Sequence, residues 1–210
     1  MAAILIAHNF QHLRWYRNLA KGRYSAQRII ALAVTALSLA ALVALVFSGL
    51  AMSNAFGPLG GWGLSILARK LHILGAYWGF PLISLHLGSN WNAFICLASK
   101  RLGHPKRPKA FQIATFVSSL AVSAYGIHVF LKRDFISYMF LKSDFVFFDF
   151  GEPKLNFILE YLSIMILCVF IAHYGSKIMI KVSRKKGKGD GEAVTDGADR
   201  PRRMAALSGP

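Results

Sequence analysis

The chain has few acidic residues and few cysteines. Only 9 of its 210 residues are Asp or Glu, against 25 that are Lys or Arg, and the two cysteines are Cys96 and Cys168. Both cysteines lie in apolar stretches, so we interpret them as small buried hydrophobic residues rather than as a disulfide pair. Thiolate ligation of an iron–sulfur cluster needs more cysteines than two, which argues against that class of redox centre.

Charged residues are also few, at 16% of the chain, whereas 55% of the residues are hydrophobic. The apolar residues fall in four blocks, each near or above the ~20 residues that cross a bilayer as a helix. The predicted fold class is therefore all-α, a polytopic membrane protein with an antiparallel bundle of four transmembrane helices. The predicted spans are Ile29–Leu50, Leu71–Ala98, Ala110–Leu131 and Phe157–Ile180. In the second span, Pro81 predicts a kink, and the polar residues 89–92 leave its end undefined.

The net charge of +16 is compatible with nucleic-acid binding in principle, but its distribution favours a membrane. Basic residues cluster before the first span, between the second and third spans, and after the fourth. The other two connections carry little net positive charge. By the positive-inside rule both termini are cytoplasmic, and the basic excess faces anionic lipid head groups. We expect no nucleic-acid partner.

This topology predicts three regions. Residues 1–27 form a cytoplasmic or interfacial N-terminal segment, residues 28–182 form the four-helix domain, and residues 183–210 form a disordered basic cytoplasmic tail. His8 and His12 in the first region have i, i+4 spacing and share a helix face. Two ligands without a third are a weak metal signal, so we interpret them as part of a solvated interfacial face.

Two histidines inside the second span are the most informative residues. His72 and His86 are 14 positions apart, which is close to four helical turns. Their rings should therefore leave one helix face about 21 Å apart along the axis. Ionisable side chains at membrane depth are costly and usually functional. Two of them on one face suggest two stacked metal centres.

Two further histidines supply partners for this pair. The predicted topology places His72 and His128 nearer the outer side, and His86 and His173 nearer the inner side. Each pair could provide the axial ligands of one b-type haem. We expect two haems, with a single haem held by one pair as the alternative. Cross-helix hydrogen bonding by each histidine is the simpler interpretation of these residues and stays open.

Other residues fit a haem site. Gly79 lies seven residues from both histidines and would leave room for a flat macrocycle. Arg69 and Lys70 could pair with haem propionates, as could Arg133. Glu160 is a candidate proton group for quinone chemistry, although an interfacial carboxylate paired with Lys154 or water is the simpler interpretation.

A phenylalanine-rich loop joins the third and fourth spans. Aromatic side chains are interleaved with acidic residues over residues 135–150. An interfacial aromatic belt accounts for them. The alternatives are a docking surface for an extracytoplasmic partner and a lid over a cofactor or quinone.

Several stretches resemble the flavinylation-associated cytochromes, the DUF4405 family. They are RKLH at 69–72, AYWGF at 76–80, SLHLG at 84–88, SGLAMS at 48–53, FVFFD at 145–149, and YLSIM at 161–165 with His173 and Tyr174. The chain is more distantly similar to the b-type cytochrome subunits of formate dehydrogenase, hydrogenase and bacterial cytochrome b561. The hydrogenase-type proteins usually place a ligand histidine in the first span, whereas this chain has none there.

The resemblance implies a protein of the prokaryotic cytoplasmic membrane that carries electrons between the quinol pool and an extracytoplasmic flavoprotein or other redox protein. A cofactor-free membrane scaffold or assembly subunit is the alternative from another class. A transporter or channel is a third alternative, but Glu160 is the single carboxylate within the four predicted spans, which gives that class little support.

Overall fold

The computed structural model describes residues 2–17, 25–53, 62–101, 109–147 and 149–207, and in these ranges every regular element is an α-helix. The helices are α1 (Ala2–Gln11), α2 (Leu13–Arg17), α3 (Ala26–Met52), α4 (Trp62–Ser89), α5 (Trp91–Arg101), α6 (Lys109–Lys132), α7 (Phe135–Met139) and α8 (Lys154–Leu207). The chain divides into two compact units, Met1–His173 and Tyr174–Pro210. Every contact between helices described below lies within the first unit.

Three helices of the described chain are long and apolar enough to cross a membrane. They are α3, α6 and the part of α8 from Lys154 to Ser183. At ~1.5 Å per residue each exceeds the ~30 Å of a hydrocarbon core. The protein is thus all-helical with three candidate membrane spans. The predicted second span falls outside this set because His72, His86 and Pro81 make α4 less apolar.

The second predicted span is two helices rather than one. α4 ends at Ser89 and α5 begins at Trp91, with Asn90 as a turn between them. The Asn90 side-chain amide donates to the carbonyl oxygen of His86 at 3.0 Å. Asn competes in this way for backbone groups that a continuous helix would use, which explains the break.

The face of α4 that carries the two histidines packs on α3. A Cβ atom placed on Gly75 would lie 3.3 Å from the Ala41 carbonyl oxygen and 3.1 Å from Leu45 Cγ. One placed on Gly79 would lie 3.5 Å from Ala41 Cβ. The glycines of this face therefore bring two helices together, as small residues do in membrane helix packing.

α8 packs closely on α4 and on α6 at two other glycines. A Cβ atom on Gly88 would lie 2.6 Å from the Val169 carbonyl oxygen and 2.8 Å from Ala172 Cβ. One on Gly126 would lie 2.5 Å from the Ser163 carbonyl oxygen. Both distances are too short for a real side chain, so these positions require glycine.

α7 closes one end of this unit with an aromatic cluster. Asp134 has a left-handed backbone (φ 50°), which Asp tolerates better than most residues, and it turns the chain from α6 into α7. Phe135, 1% exposed, then stacks on Phe130 and contacts rings of α4 and α8. The cluster comprises Tyr77, Phe80, Phe130, Phe135, Tyr138 and Tyr161.

The C-terminal region is helical over its described residues. The backbone of α8 continues as a helix to Leu207, through the segment predicted to be a disordered tail. Gly187, Gly189, Gly191, Gly197 and Pro201 lower the helix propensity of this segment, so the disorder expected for residues 183–210 stays a prediction.

Replacing Gly126 with Ala is expected to lower the free energy of unfolding by about 1–3 kcal/mol, because the new methyl group collides with the α8 backbone. Gly175→Ala is the matched control, since a Cβ there would meet nothing within 4 Å. Its higher helix propensity should leave stability unchanged or raise it by up to ~1 kcal/mol. Thermal unfolding in detergent measures both, and equal effects would contradict the close α6–α8 contact.

Candidate functional site

His72 is held against α3 by a buried hydroxyl. Its Nδ1 atom lies 3.1 Å from Ser48 Oγ, and Ser48 is 2% exposed. The Ser48 hydroxyl also lies 3.2 Å from the Leu45 carbonyl oxygen, to which it donates. Gly49 leaves room for the imidazole, because a Cβ there would be 3.8 Å from His72 Cε1.

His86 has the same arrangement 14 residues further along α4, or about 21 Å along the helix axis. Its Nδ1 atom lies 3.1 Å from Thr35 Oγ1. The Thr35 hydroxyl donates to the Ala31 carbonyl oxygen at 2.8 Å. As the spacing predicts, His72 and His86 project from one face of α4, and that face lies against α3.

These bonds are compatible with the tautomer of each ring that carries its proton on Nδ1. A hydroxyl has one proton, and in Ser48 and Thr35 it is directed to a backbone carbonyl of α3. The hydroxyl oxygen then accepts a hydrogen bond from the imidazole Nδ1–H. Each Nε2 keeps its lone pair, and no described residue bonds to it. Metal-binding histidines show this pattern, in which a second interaction on Nδ1 sets the tautomer and ring orientation.

An open cleft of about 440 Å³ lies beside His72. That volume is within the range of small-molecule and cofactor sites, which are mostly apolar with a few polar groups. Its lining matches this description, with two imidazoles and an otherwise apolar wall. The lining residues are Ile4, Leu5, His8, Leu42, Leu45, Val46 and His72.

α1 therefore lies beside the middle of α3 rather than at its start. Leu42 and Val46 are 16 and 20 residues beyond Ala26, or roughly 24–30 Å along the helix. The rings of His8 in α1 and of His12, just beyond the end of α1, are tilted against each other with 4.7 Å between their centroids. This placement is relative to α3, so the interfacial location expected for residues 1–27 stays a prediction.

The structure does not bring His128 to His72. Gly126 of α6 lies beside Ser163 of α8, and Tyr161 of α8 contacts Phe80 of α4. Along the bundle axis, His128 therefore lies near the level of Phe80. That is eight residues from His72, or about 12 Å. The His128 side chain is exposed, and its ring lies beside that of Tyr125 on the same helix.

His173 shares a level with His86 but not a face. Gly88 of α4 contacts Ala172 of α8. Gly88 is two residues from His86, and Ala172 is one residue from His173. Gly88 is 200° around the helix from His86 at 100° per residue. The α8 side of α4 is thus nearly opposite the side that carries the His86 ring. His173 itself is 7% exposed.

The residues predicted to hold propionates contact the 134–155 connection instead. Arg69 lies over the Phe145 ring at 5.6 Å, and Lys70 pairs with Asp144 at 3.2 Å. Trp78 donates to the Met139 carbonyl oxygen at 2.9 Å. This connection therefore folds over the first half of α4. Phe148 of the predicted aromatic loop lies outside the described residues.

Glu160 forms a buried ion-pair network. Its carboxylate, 1% exposed as a residue, accepts from Lys132 Nζ at 2.5 Å and from Arg133 Nε at 2.6 Å. Arg133 also bonds to Glu152. The hydrogen bond from Arg133 holds the pKa of Glu152 below its usual range. Glu160 is thus ion-paired. Its partners are Lys132 and Arg133, whereas Lys154 or water was the expected partner. Both cations stabilise the charged form of the carboxylate.

Ser48, Thr35 and His8 could not be assigned to this site from the sequence one residue at a time. Ser48 and Thr35 are ordinary hydroxyls in an apolar helix, where bonding to their own backbone is the usual role. Their separation of 13 positions nearly equals that of the two histidines, and this matched spacing is the available sequence signal. His8 was outside the predicted spans, so its depth could not be inferred.

We expect Glu160→Gln to lower the free energy of unfolding by about 3 kcal/mol, because it leaves two cations without their shared carboxylate. The control is Asp144→Asn, which removes an exposed ion pair with Lys70 worth under ~1 kcal/mol. Unfolding titrations in mixed detergent compare the two variants. An equal loss in both would contradict the buried network.

Comparison with known proteins adds no relative to this description. No family model matches the chain, and neither a curated protein nor a solved structure matches it.

Proposed function

We propose that this protein is a di-haem b-type membrane cytochrome, in which His72 and His86 each ligate one haem iron. The observation that carries the proposal is the pair of hydroxyl–imidazole bonds to Ser48 and Thr35. They leave an Nε2 lone pair on each ring at two depths of one helix. Haem, when bound, supplies reversible one-electron chemistry at its iron.

The residues present fit this group in their donor chemistry. Neutral imidazole is a standard axial ligand of haem iron, and a hydrogen bond on Nδ1 increases its basicity as a ligand. The cleft beside His72 is apolar apart from its imidazoles, so it would exclude water from a bound macrocycle. Ser48 and Thr35 act here as positioning residues.

The proposal includes four membrane spans in antiparallel order, with α4 as the fourth. Two contacts support α3 and α4 running in opposite directions, Ser48 with His72 and Thr35 with His86. Two further contacts support opposite directions for α6 and α8. They join Gly126 to Ser163 and Lys132 to Glu160. A helix with polar groups that face another helix can cross a bilayer despite lower apolarity. The positive-inside pattern puts both termini in the cytoplasm.

The partners follow from the resemblance to flavinylation-associated cytochromes. Electrons would pass between the quinol pool and an extracytoplasmic flavoprotein or other redox protein, across a prokaryotic cytoplasmic membrane. Exposed phenylalanines at 140, 145, 147 and 150 offer an apolar surface beside Asp144 and Asp149 for such a partner. The protein itself would perform no chemistry beyond quinone redox.

A cofactor-free membrane scaffold is the second candidate. The same two hydrogen bonds favour it, because hydroxyl–imidazole bonds also join membrane helices without any cofactor. In that function the free Nε2 atoms and the apolar cleft have no role. The two candidates therefore differ in whether the purified protein holds haem.

Protein expressed with ample haem and purified in detergent is expected to show reducible b-type absorption bands and up to two haems per chain by pyridine haemochrome. Ser48→Ala should weaken haem retention at the His72 site by about 10–100-fold, since it removes the group that orients the ligand. Thr35→Ala should do the same at the His86 site.

Ser38→Ala is the matched control. Ser38 is another buried hydroxyl of α3, and it donates to the Val34 carbonyl oxygen at 2.7 Å without a histidine partner. Haem content should be unchanged in this variant. Wild-type protein that folds but binds no haem would exclude the cytochrome and leave the scaffold.

A further inference from the structure

The structure assigns a second imidazole to the His72 site, because His8 of α1 lines the same cleft. We propose that His8 and His72 would together hold the first haem, which would then lie between α1 and α4. This inference rests on the proposed function, which identifies His72 as a ligand but leaves its partner open.

The lining of the cleft supports one class of occupant. Five of its seven residues are Ile, Leu or Val, and the remaining two are His8 and His72. A bare transition-metal ion would need three or four protein ligands, and the described residues contain no cluster of three His, Cys, Asp or Glu that could provide them. Two imidazoles in an apolar wall suit an iron porphyrin, which brings four equatorial nitrogens of its own.

The composition of α1 suits this depth in a membrane. Its first six residues, Ala2 to Ala7, are all apolar. Ile4, Ile6 and Phe10 are largely exposed on the helix surface, where a bilayer would cover them. The polar Asn9 bonds within the segment, to the Leu5 carbonyl oxygen at 2.8 Å and to Tyr16. His8 is then the polar side chain of α1 that reaches the cleft.

The competing ligand for this iron is His128. It lies about 12 Å along the bundle axis from the level of His72, and the buried residues of α6 are Ser123, Gly126 and Val129. His12, one turn from His8, does not line the cleft. His128 and His12 therefore provide two matched control positions.

The test uses full-length protein purified with its haem and examined by absorption and electron paramagnetic resonance. The wild type should show low-spin iron with two imidazole ligands at the His72 site. His8→Ala should convert that signal to high-spin iron or reduce haem retention at least tenfold. Added imidazole should restore the low-spin signal, which an unfolded variant would not show. His12→Ala and His128→Ala should leave this site low-spin.

The outcomes separate the two proposals. Absence of haem from the folded wild type would overturn the cytochrome and this ligand assignment together. Haem present in the wild type, with low-spin iron unchanged in His8→Ala, would overturn only the role of His8. Loss of the same haem in His128→Ala would assign the second ligand to α6 and likewise exclude His8.

Discussion

The hydrogen bond between an α3 hydroxyl and an α4 imidazole is the interaction on which the rest of this account depends. It occurs twice, at Ser48 with His72 and at Thr35 with His86. In each case the hydroxyl also contacts a backbone carbonyl oxygen of α3, an arrangement in which the ring would donate from Nδ1. One bond therefore sets the register of two helices, the orientation of a ring and the position of a free lone pair.

Close helix packing makes this arrangement possible. Gly75 and Gly79 let α3 approach the histidine face of α4, while Gly88 lets α8 approach the opposite side. The glycine predicted to make room for a macrocycle, Gly79, thus faces Ala41 in the described structure. The room beside His72 comes instead from the separation of α1 and α3, where the cleft lies.

The sequence was sufficient for the helical class, for three of the spans and for the shared face of His72 and His86, because each depends on apolar length or on helical periodicity. It could not supply the partners of those histidines. Depth along a helix was inferred from loop charges, and this placed His128 with His72. The register of α6 against α8 depends on where Gly126 meets Ser163, which is a tertiary contact with no local signal.

The positions of Arg133 and α1 also depend on tertiary contacts that the local sequence does not indicate. Arg133 was a candidate for propionate binding, but the turn at Asp134 directs its guanidinium to Glu160 and Glu152. Residues 1–17 contain too short an apolar run to predict membrane depth, yet α1 lines the cleft beside α3 and His72. In both cases a contact with a neighbouring element determines where the residues lie. The four spans, the use of quinone and the haem pairings stay predictions.

The most direct test of the central claim is the tautomer of the two ring systems. Nitrogen NMR of haem-free, 15N-histidine-labelled protein in detergent, with assignment by His72→Ala and His86→Ala, reports which ring nitrogen is protonated. We predict protonated Nδ1 and unprotonated Nε2 at both positions, with the Nδ1 signal of His72 altered by Ser48→Ala. Protonated Nε2 at both positions would contradict the account, because neither ring would then offer its outward nitrogen to iron.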